Sequence, residues 1–271
     1  MADYTKTDYR ISTMVITAHW GTQIDLATLF NSIKDLIIPV WYPDIGILKF
    51  EHKNMVVGMA HKDIFTNRKI TSKSFFNQST LVLRRRYNTV DTFKEVNVKL
   101  FANGGIQMTG ITSETFARDA AEWLLQLIKT IPAQIFTNTS DAKIDKFSVQ
   151  LINTDYAINK FINQDALHKL LINEYNLFSM LEKTIYQGVN TKFFYNILNP
   201  SGICHCTNIC KGQGAGDGDG ECKRITMSIF RTGRIIITGA RELKQIEAAY
   251  TFLNKIFDKH HKTVLYEPNN V

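Results

Sequence analysis

The residues richest in chemistry are four cysteines confined to one short stretch, Cys204-His205-Cys206, Cys210 and Cys222. Thiolates are soft ligands, and four of them close in sequence suit a tetrahedral Zn²⁺ site. The spacing differs from the usual paired C-x₂₋₄-C knuckles, because one arm is C-x-C and the last gap is long. Two readings therefore stand, a zinc site or four reduced thiols without a ligand. No other cofactor is implied. The glycine-rich run Gly212 to Gly220 is no dinucleotide fingerprint, since a strand rather than a helix follows it. Asp217 and Asp219 lack the spacing of an EF-hand, so the run reads as a flexible loop.

Catalytic constellations are absent from the sequence. It has no P-loop, no G-x-S-x-G and no H-E-x-x-H. The histidines are scattered, His168 reads as a surface residue, and carboxylates such as Asp44 and Glu51 carry no motif. The expectation is a protein that is not an enzyme.

A second set of residues gains meaning from repetition. Val98-Lys-Leu-Phe-Ala-Asn-Gly-Gly-Ile-Gln-Met-Thr-Gly110 matches Met227-Ser-Ile-Phe-Arg-Thr-Gly-Arg-Ile-Ile-Ile-Thr-Gly239. Phe101 pairs with Phe230, 129 positions on, as do Gly104 with Gly233, Thr109 with Thr238 and Ala120 with Ala249. The fronts correspond too, Ile24 to Leu29 with Ile162 to Leu167, 138 positions on. The chain is duplicated, and each copy predicts strand, short helix, several strands and long helix.

The elements follow from periodicity. Val96, Val98 and Leu100 alternate with Asn97, Lys99 and Phe101, a strand with two distinct faces. Asn103-Gly104-Gly105 and Thr232-Gly233 make hairpin turns. Ser113, or Thr112 beside it, caps a helix carrying Phe116, Ala120, Trp123, Leu124, Leu127 and Ile128 at helical spacing. Ile246, Ala249, Tyr250, Leu253, Ile256 and Phe257 form the matching stripe. The opening strands are Ile11 to Ala18 and Phe147 to Asn153. If Val98 and Leu100 face the helices, then Lys99, Phe101, Gln107 and Thr109 face away, as do Ser228, Phe230, Ile236 and Thr238.

The domains expected are 1–135, with a basic insertion at about 53–92, and 136–271, with a Cys/Gly-rich insertion at about 199–222. The first insertion carries Lys62, Arg68, Lys69, Lys73 and the run Arg84-Arg85-Arg86. These read either as a solvated basic surface or as a phosphate clamp. With 32 basic and 25 acidic residues the chain carries +7, which favours a polyanionic partner. Met1 to Trp20 has no apolar core of a secretory signal, and no stretch reaches the roughly 18 apolar residues of a membrane helix. Together with cysteines that form no spread disulfide framework, this implies an intracellular protein without a membrane partner.

The pattern Phe-x-x-Gly-x-x-x-x-Thr-Gly, twice, each followed by an amphipathic helix, resembles the TATA-box-binding protein family over most of the chain. The basic balance and long insertions look like the divergent versions carried by large DNA viruses. The resemblance implies an α+β fold, a pseudo-two-fold saddle whose curved, ten-stranded antiparallel sheet carries its helices on the convex face. It implies binding of double-stranded promoter DNA through the minor groove, as a monomer, with phenylalanines wedged between base steps; this family is itself the standard example of that mode. It further implies a TFIIB-like factor and RNA polymerase as partners, in a host nucleus or cytoplasmic viral factory, with packaging in the virion also open.

The DNA-contact set carried over or read from the outer face is Phe101, Phe230, Thr109, Thr238, Lys99, Gln107, Ser228, Arg231, Arg234, Ile236, Thr13 and Arg241. A second wedge per copy is expected near Ile45 and in Tyr186–Asn190. The family's central asparagines align with Thr13 and Leu151, so neither is retained in this register. With Lys99, Gln107 and Ser228 making the sheet face more polar, an altered or relaxed TATA preference is expected. Two other readings are a protein scaffold that has lost DNA and a DNA-repair glycosylase. The second lacks a helix-hairpin-helix and a catalytic lysine–aspartate pair.

Overall fold

The computed structural model describes residues 4–66 and 77–267. Packing divides the chain into two compact units, Met14–Gln150 and Met1–Thr13 with Leu151–Val271. The expected split at 135/136 counts copies of sequence, whereas this division counts contacts. The N-terminal stretch packs with the second copy: Thr7 N–H donates to the Ala157 carbonyl at 2.9 Å, and Tyr4 Oη to Asp258 Oδ1 at 2.5 Å.

The Met14–Gln150 unit opens on β1 (Arg10–His19), whose first residues belong to the other unit, and runs through α1 (Leu26–Ile33), β2 (Gly46–His52), β3 (Met55–Gly58) and α2 (His61–Phe65). It continues with β4 (Gln78–Tyr87), β5 (Thr89–Phe101), β6 (Gly105–Ile111) and α3 (Glu114–Lys129). The strand order is β3-β2-β4-β5-β6-β1, every pair antiparallel. The helices α1 and α3 start where a short polar side chain satisfies free N–H groups. Asp25 accepts from Ala27 N and Thr28 N, each at 3.0 Å, and Ser113 Oγ accepts from Phe116 N at 3.4 Å. The stripe Phe116, Ala117, Ala120, Ala121, Leu124, Leu125 and Ile128 is buried, as are Leu81, Leu83, Val98, Leu100, Ile106 and Met108 of the sheet. Each large aliphatic contributes roughly 2 kcal/mol by leaving water, so a charge at Met108 would part the sheet from its helices.

The second unit repeats the plan with β7 (Asp145–Ala157), β8 (Phe161–Ile162), α4 (Gln164–Asn173), β9 (Phe178–Glu182) and β10 (Tyr186–Tyr195). β11 (Lys223–Phe230), β12 (Arg234–Ala240), α5 (Leu243–Val264) and β13 (Leu265–Tyr266) complete it. The order is β7-β12-β11-β10-β9, with β13 paired to β8 separately. Asn163 Oδ1 caps α4 through Ala166 N at 3.1 Å. Ile246, Ala249, Leu253, Ile256 and Phe257 of α5 are buried together with Ile225, Met227, Ile229, Ile235 and Ile237. Each unit is thus an open antiparallel sheet with its longer helices on one face, an α+β repeat present twice; the short α2 lies on the other face of the first unit, where Asp63 pairs with Lys49 at 3.0 Å.

Three expectations change. Five strands per copy were expected, and the first copy adds β3, which returns along β2. The stretch Lys53–Thr92 is only partly an insertion, because β4 occupies Gln78–Tyr87 as an interior strand between β2 and β5. Leu81 to Arg85 are all buried, so the strand lacks a clean alternation, and Arg84-Arg85-Arg86 reads as surface charge in the sequence. The run Gly212 to Gly220 is not free chain. Gly216 N–H donates to the Glu221 carbonyl at 2.6 Å, Ile197 N–H to the Gly216 carbonyl at 2.8 Å, and Gln245 Nε2 to the Ala215 carbonyl at 2.9 Å.

Candidate nucleic-acid interface

Side chains alternate across a strand, so residues between buried ones lie on the face away from the helices. In the Met14–Gln150 unit that face carries Lys99, Phe101, Gln107 and Thr109. Lys99 is exposed and sits between Thr80 on β4 and Gln107 on β6, and Gln107 pairs in turn with Thr17 on β1. Gln150 Nε2 donates to Thr17 Oγ1 at 2.9 Å, which extends the row. Thr109 pairs with Asn97.

In the second unit the same face carries three rows. Phe230 lies beside Gly188, and Ser228 lies between Asn190 and Ile236. Thr226 lies between Lys192 and Thr238, and Thr238 pairs with Asn153. On the edge strand β9, Met180 and Phe178 continue the last two rows and are 53% and 59% exposed. Lys192 Nζ donates to Thr226 Oγ1 at 3.0 Å, and burial with nearby Arg224 holds its ammonium below the usual lysine range. Arg231 and Arg234 are exposed at the hairpin, Arg231 over the Phe161 ring at 5.2 Å.

Both hairpins that present the phenylalanines close alike. Gly104 N–H donates to the Phe101 carbonyl at 2.8 Å and Gly233 N–H to the Phe230 carbonyl at 3.0 Å. Their φ values are +91° and +83°, and a Cβ would come within 2.0 Å of the Thr22 carbonyl oxygen or 2.4 Å of that of Ile158. Only glycine fits either turn, which is why both copies keep it. Phe101 and Phe230 are half-buried and lie on the outer face, since Leu100 and Ile229 beside them are buried inward.

The partners of those rings differ. Tyr186 meets Phe230 edge-on, inside the region expected for a second wedge. Directly across the strand pair Phe230 faces Gly188 and Phe101 faces Gln78 on β4; Ile45, expected near Phe101, lies just before β2. The residue opposite Thr238 is Asn153, two positions beyond Leu151, and Thr238 Oγ1 donates to its Oδ1. The matching residue in the other copy is Val15, in the bulge between Met14 and Ile16 that faces Thr109 and Gly110. Thr13 is half-buried one step further along β1 on the same face.

Two expected contacts sit less openly. Ser228 is only 4% exposed, forming the floor between Asn190 and Ile236. Arg241 lies past the end of β12 remote from Arg234, half-buried at the start of α5, with its Nε buried and unbonded. It stands apart from the outer-face rows.

The cations are distributed differently from the sequence expectation. Arg10 Nε and Arg234 Nη2 grip Asp155 at 2.8 and 2.7 Å, and the Arg10 bond above all holds that carboxyl below its ordinary range. The run Arg84-Arg85-Arg86 is spent within the unit. Arg84 donates to the Val40 and Tyr42 carbonyls; Arg85 pairs with Asp119 at 2.8 Å and lies over Trp123 at 4.7 Å; Arg86 pairs with Asp44 at 3.2 Å. Lys62 is exposed on α2, while Arg68, Lys69 and Lys73 lie outside the described residues. Part of this unit's outer face is covered, because Val82 packs with Leu48, Ala60 and Ile38 on the side opposite Leu81 and Leu83.

The four cysteines converge, their Sγ atoms all within 4.8 Å of one another. Among the described residues no helix is long and apolar enough to cross a membrane.

No family model matches the chain. It is 25% identical over 276 residues to a TATA-box-binding protein-like protein of Acanthamoeba polyphaga mimivirus, covering 96% of this chain and 67% of that protein. Among solved structures it is similar to Methanococcus jannaschii TBP, with a TM-score of 0.46 and 15% identity, covering 95% of this chain and 99% of that one. The chain is therefore a divergent relative, over nearly its whole length, of a TATA-box-binding-protein-like protein of a large DNA virus.

Proposed function

We propose that this chain is a transcription initiation factor that binds and bends promoter duplex through the minor groove, using the sheet faces opposite the helices. One observation carries the reading: Phe101 and Phe230 occupy equivalent hairpin positions in the two copies, and both lie on the face away from the long helices α3 and α5. A half-exposed aromatic at a strand end can enter a base step, and the bend it makes brings more duplex against the sheet. Arg231 and Lys99 supply phosphate attraction. A TFIIB-like factor and RNA polymerase would then assemble on the bent complex.

Sequence reading is expected to be uneven. A·T pairs offer only acceptors in the minor groove, so a contact needs a donor. Asn153 has an amide N–H₂ left to donate while its Oδ1 takes the Thr238 hydroxyl. Val15 in the other copy has none. Half of the site can favour A·T, and TATA preference is relaxed.

Gel shifts and end-labelled bending assays on TATA and scrambled duplexes at matched salt test this. Bending that is lost in Phe101→Ala plus Phe230→Ala, with a weak TATA preference in the parent, supports it. Unbent or absent complexes with the parent protein refute it. That outcome would favour a protein scaffold, a reading with one observation behind it: Asp155 neutralises two of the cations that phosphate would need.

A further inference from the structure

We propose that Cys204, Cys206, Cys210 and Cys222 form a structural zinc site that locks the connection between β10 and β11. The proposal is independent of DNA binding.

Geometry comes first. The Sγ atoms of Cys206 and Cys222 are 3.2 Å apart and those of Cys204 and Cys222 are 3.9 Å apart, with all four inside 4.8 Å. A tetrahedron of thiolates about 2.3 Å from Zn²⁺ has edges of about 3.8 Å, so the four sulfurs already outline such a site. A disulfide needs about 2.05 Å, and all four thiols are free.

Competing ligands are engaged elsewhere. Asp219 accepts from Thr207 N, Thr207 Oγ1 and Asn208 Nδ2 at 2.7–2.9 Å. His205 Nε2 lies 3.4 Å from Ser201 Oγ. An all-sulfur set selects a soft or borderline metal over magnesium or calcium, and a closed set of four leaves no open position for catalysis.

The loop also needs such a pin. Most of its larger apolar side chains face solvent, with Ile197 61%, Leu198 77% and Ile209 91% exposed and only Ile203 half-buried, so it builds little apolar core of its own. Chain of this kind is usually held by a metal or a disulfide. Cys222 is buried immediately before β11 and anchors the cluster to the sheet, while Cys204, Cys206 and Cys210 come from the loop. A donor also reaches the cluster from the end of β10, where Asn196 Nδ2 donates to Cys222 Sγ at 3.5 Å. Bonds of this type orient and stabilise coordinated thiolates.

Elemental analysis of the full chain, purified without an affinity tag, tests the proposal. About one zinc per chain is expected, and its thiols should stay closed to a maleimide until a chelator is added. Cobalt should replace zinc with the strong visible bands of a tetrahedral thiolate complex. Cys206→Ser and Cys210→Ser, at partly exposed positions, should fall to background metal while far-UV circular dichroism keeps the parent shape; His205→Ala should keep its zinc. A reduced parent that carries no zinc and takes up neither added zinc nor cobalt overturns the proposal. So does iron in place of zinc, or metal content unchanged in both serine variants.

Discussion

The Tyr186 and Phe230 rings meet edge-to-face with centroids 5.6 Å apart, and Gly188 leaves the room for both. A Cβ at that position would come within 3.0 Å of Tyr186 Cε1 and 3.2 Å of Phe230 Cε1. Edge-to-face packing orients a ring as well as burying it. In the other copy Gln78 stands directly across from Phe101, at the place that Gly188 takes across from Phe230.

The Phe230 wedge should be sensitive to its support. Phe230→Ala is expected to weaken duplex binding by about tenfold, within the ~1–3 kcal/mol typical of an aromatic stacked on a base. Tyr186→Ala should give a smaller loss of affinity with a reduced bend angle, and Gly188→Val should act in the same direction by displacing both rings. Fluorescence resonance across a labelled duplex reads the angle. Equal bending by Tyr186→Ala and the parent would refute the brace.

The uneven pairs at Asn153 and Val15 make a prediction about sequence. Val15→Asn should sharpen preference for A·T pairs in one half of the site, and Asn153→Ala should erase it in the other. Each change is worth ~1–3 kcal/mol of discrimination. Competition binding with duplexes altered in one half at a time measures both.

Asp155 is expected to restrain phosphate binding. Asp155→Asn frees Arg10 and Arg234, so affinity for duplex of any sequence should rise and its salt dependence should steepen. The same carboxyl links stability to pH. Its pKa is lowered in the folded state, chiefly by Arg10, so its contribution is present above the unfolded value and lost as pH falls through the folded one. Melting curves of the parent and the variant should converge as pH drops below about 4. A variant with an unchanged salt slope would show that the two arginines never reach phosphate.

The arginine run is predicted to matter for folding more than for DNA. Arg85 is mostly buried between Asp119 and Trp123, so Arg85→Ala should cost about 2 kcal/mol of stability. Arg86 pairs with Asp44 at the surface, and Arg86→Ala should change stability by less than about 0.5 kcal/mol. Neither should alter the salt slope of binding by as much as one phosphate contact. Thermal unfolding and a salt titration separate the two roles.

Sequence alone determined the duplication, the hairpins and the helical stripes, because each rests on signals within a few residues. Gly104 and Gly233 announce turns, Phe116 to Ile128 announces a buried helical face, and alternation along β5 and β11 assigns Phe101 and Phe230 to the open side. Alternation has a period of two, however. A slip of one residue flips a strand and is noticed, whereas a slip of two keeps every side chain on its face. Alternation alone therefore allows either Leu151 or Asn153 opposite Thr238, and the pairing of β7 with β12 puts Asn153 there. Cross-strand neighbours such as Tyr186 with Phe230 or Gln78 with Phe101, the inward grip on Arg84 and Arg85, and the convergence of four thiols were decided only in the tertiary structure. Each joins residues whose distance apart in the chain says nothing of their distance in space.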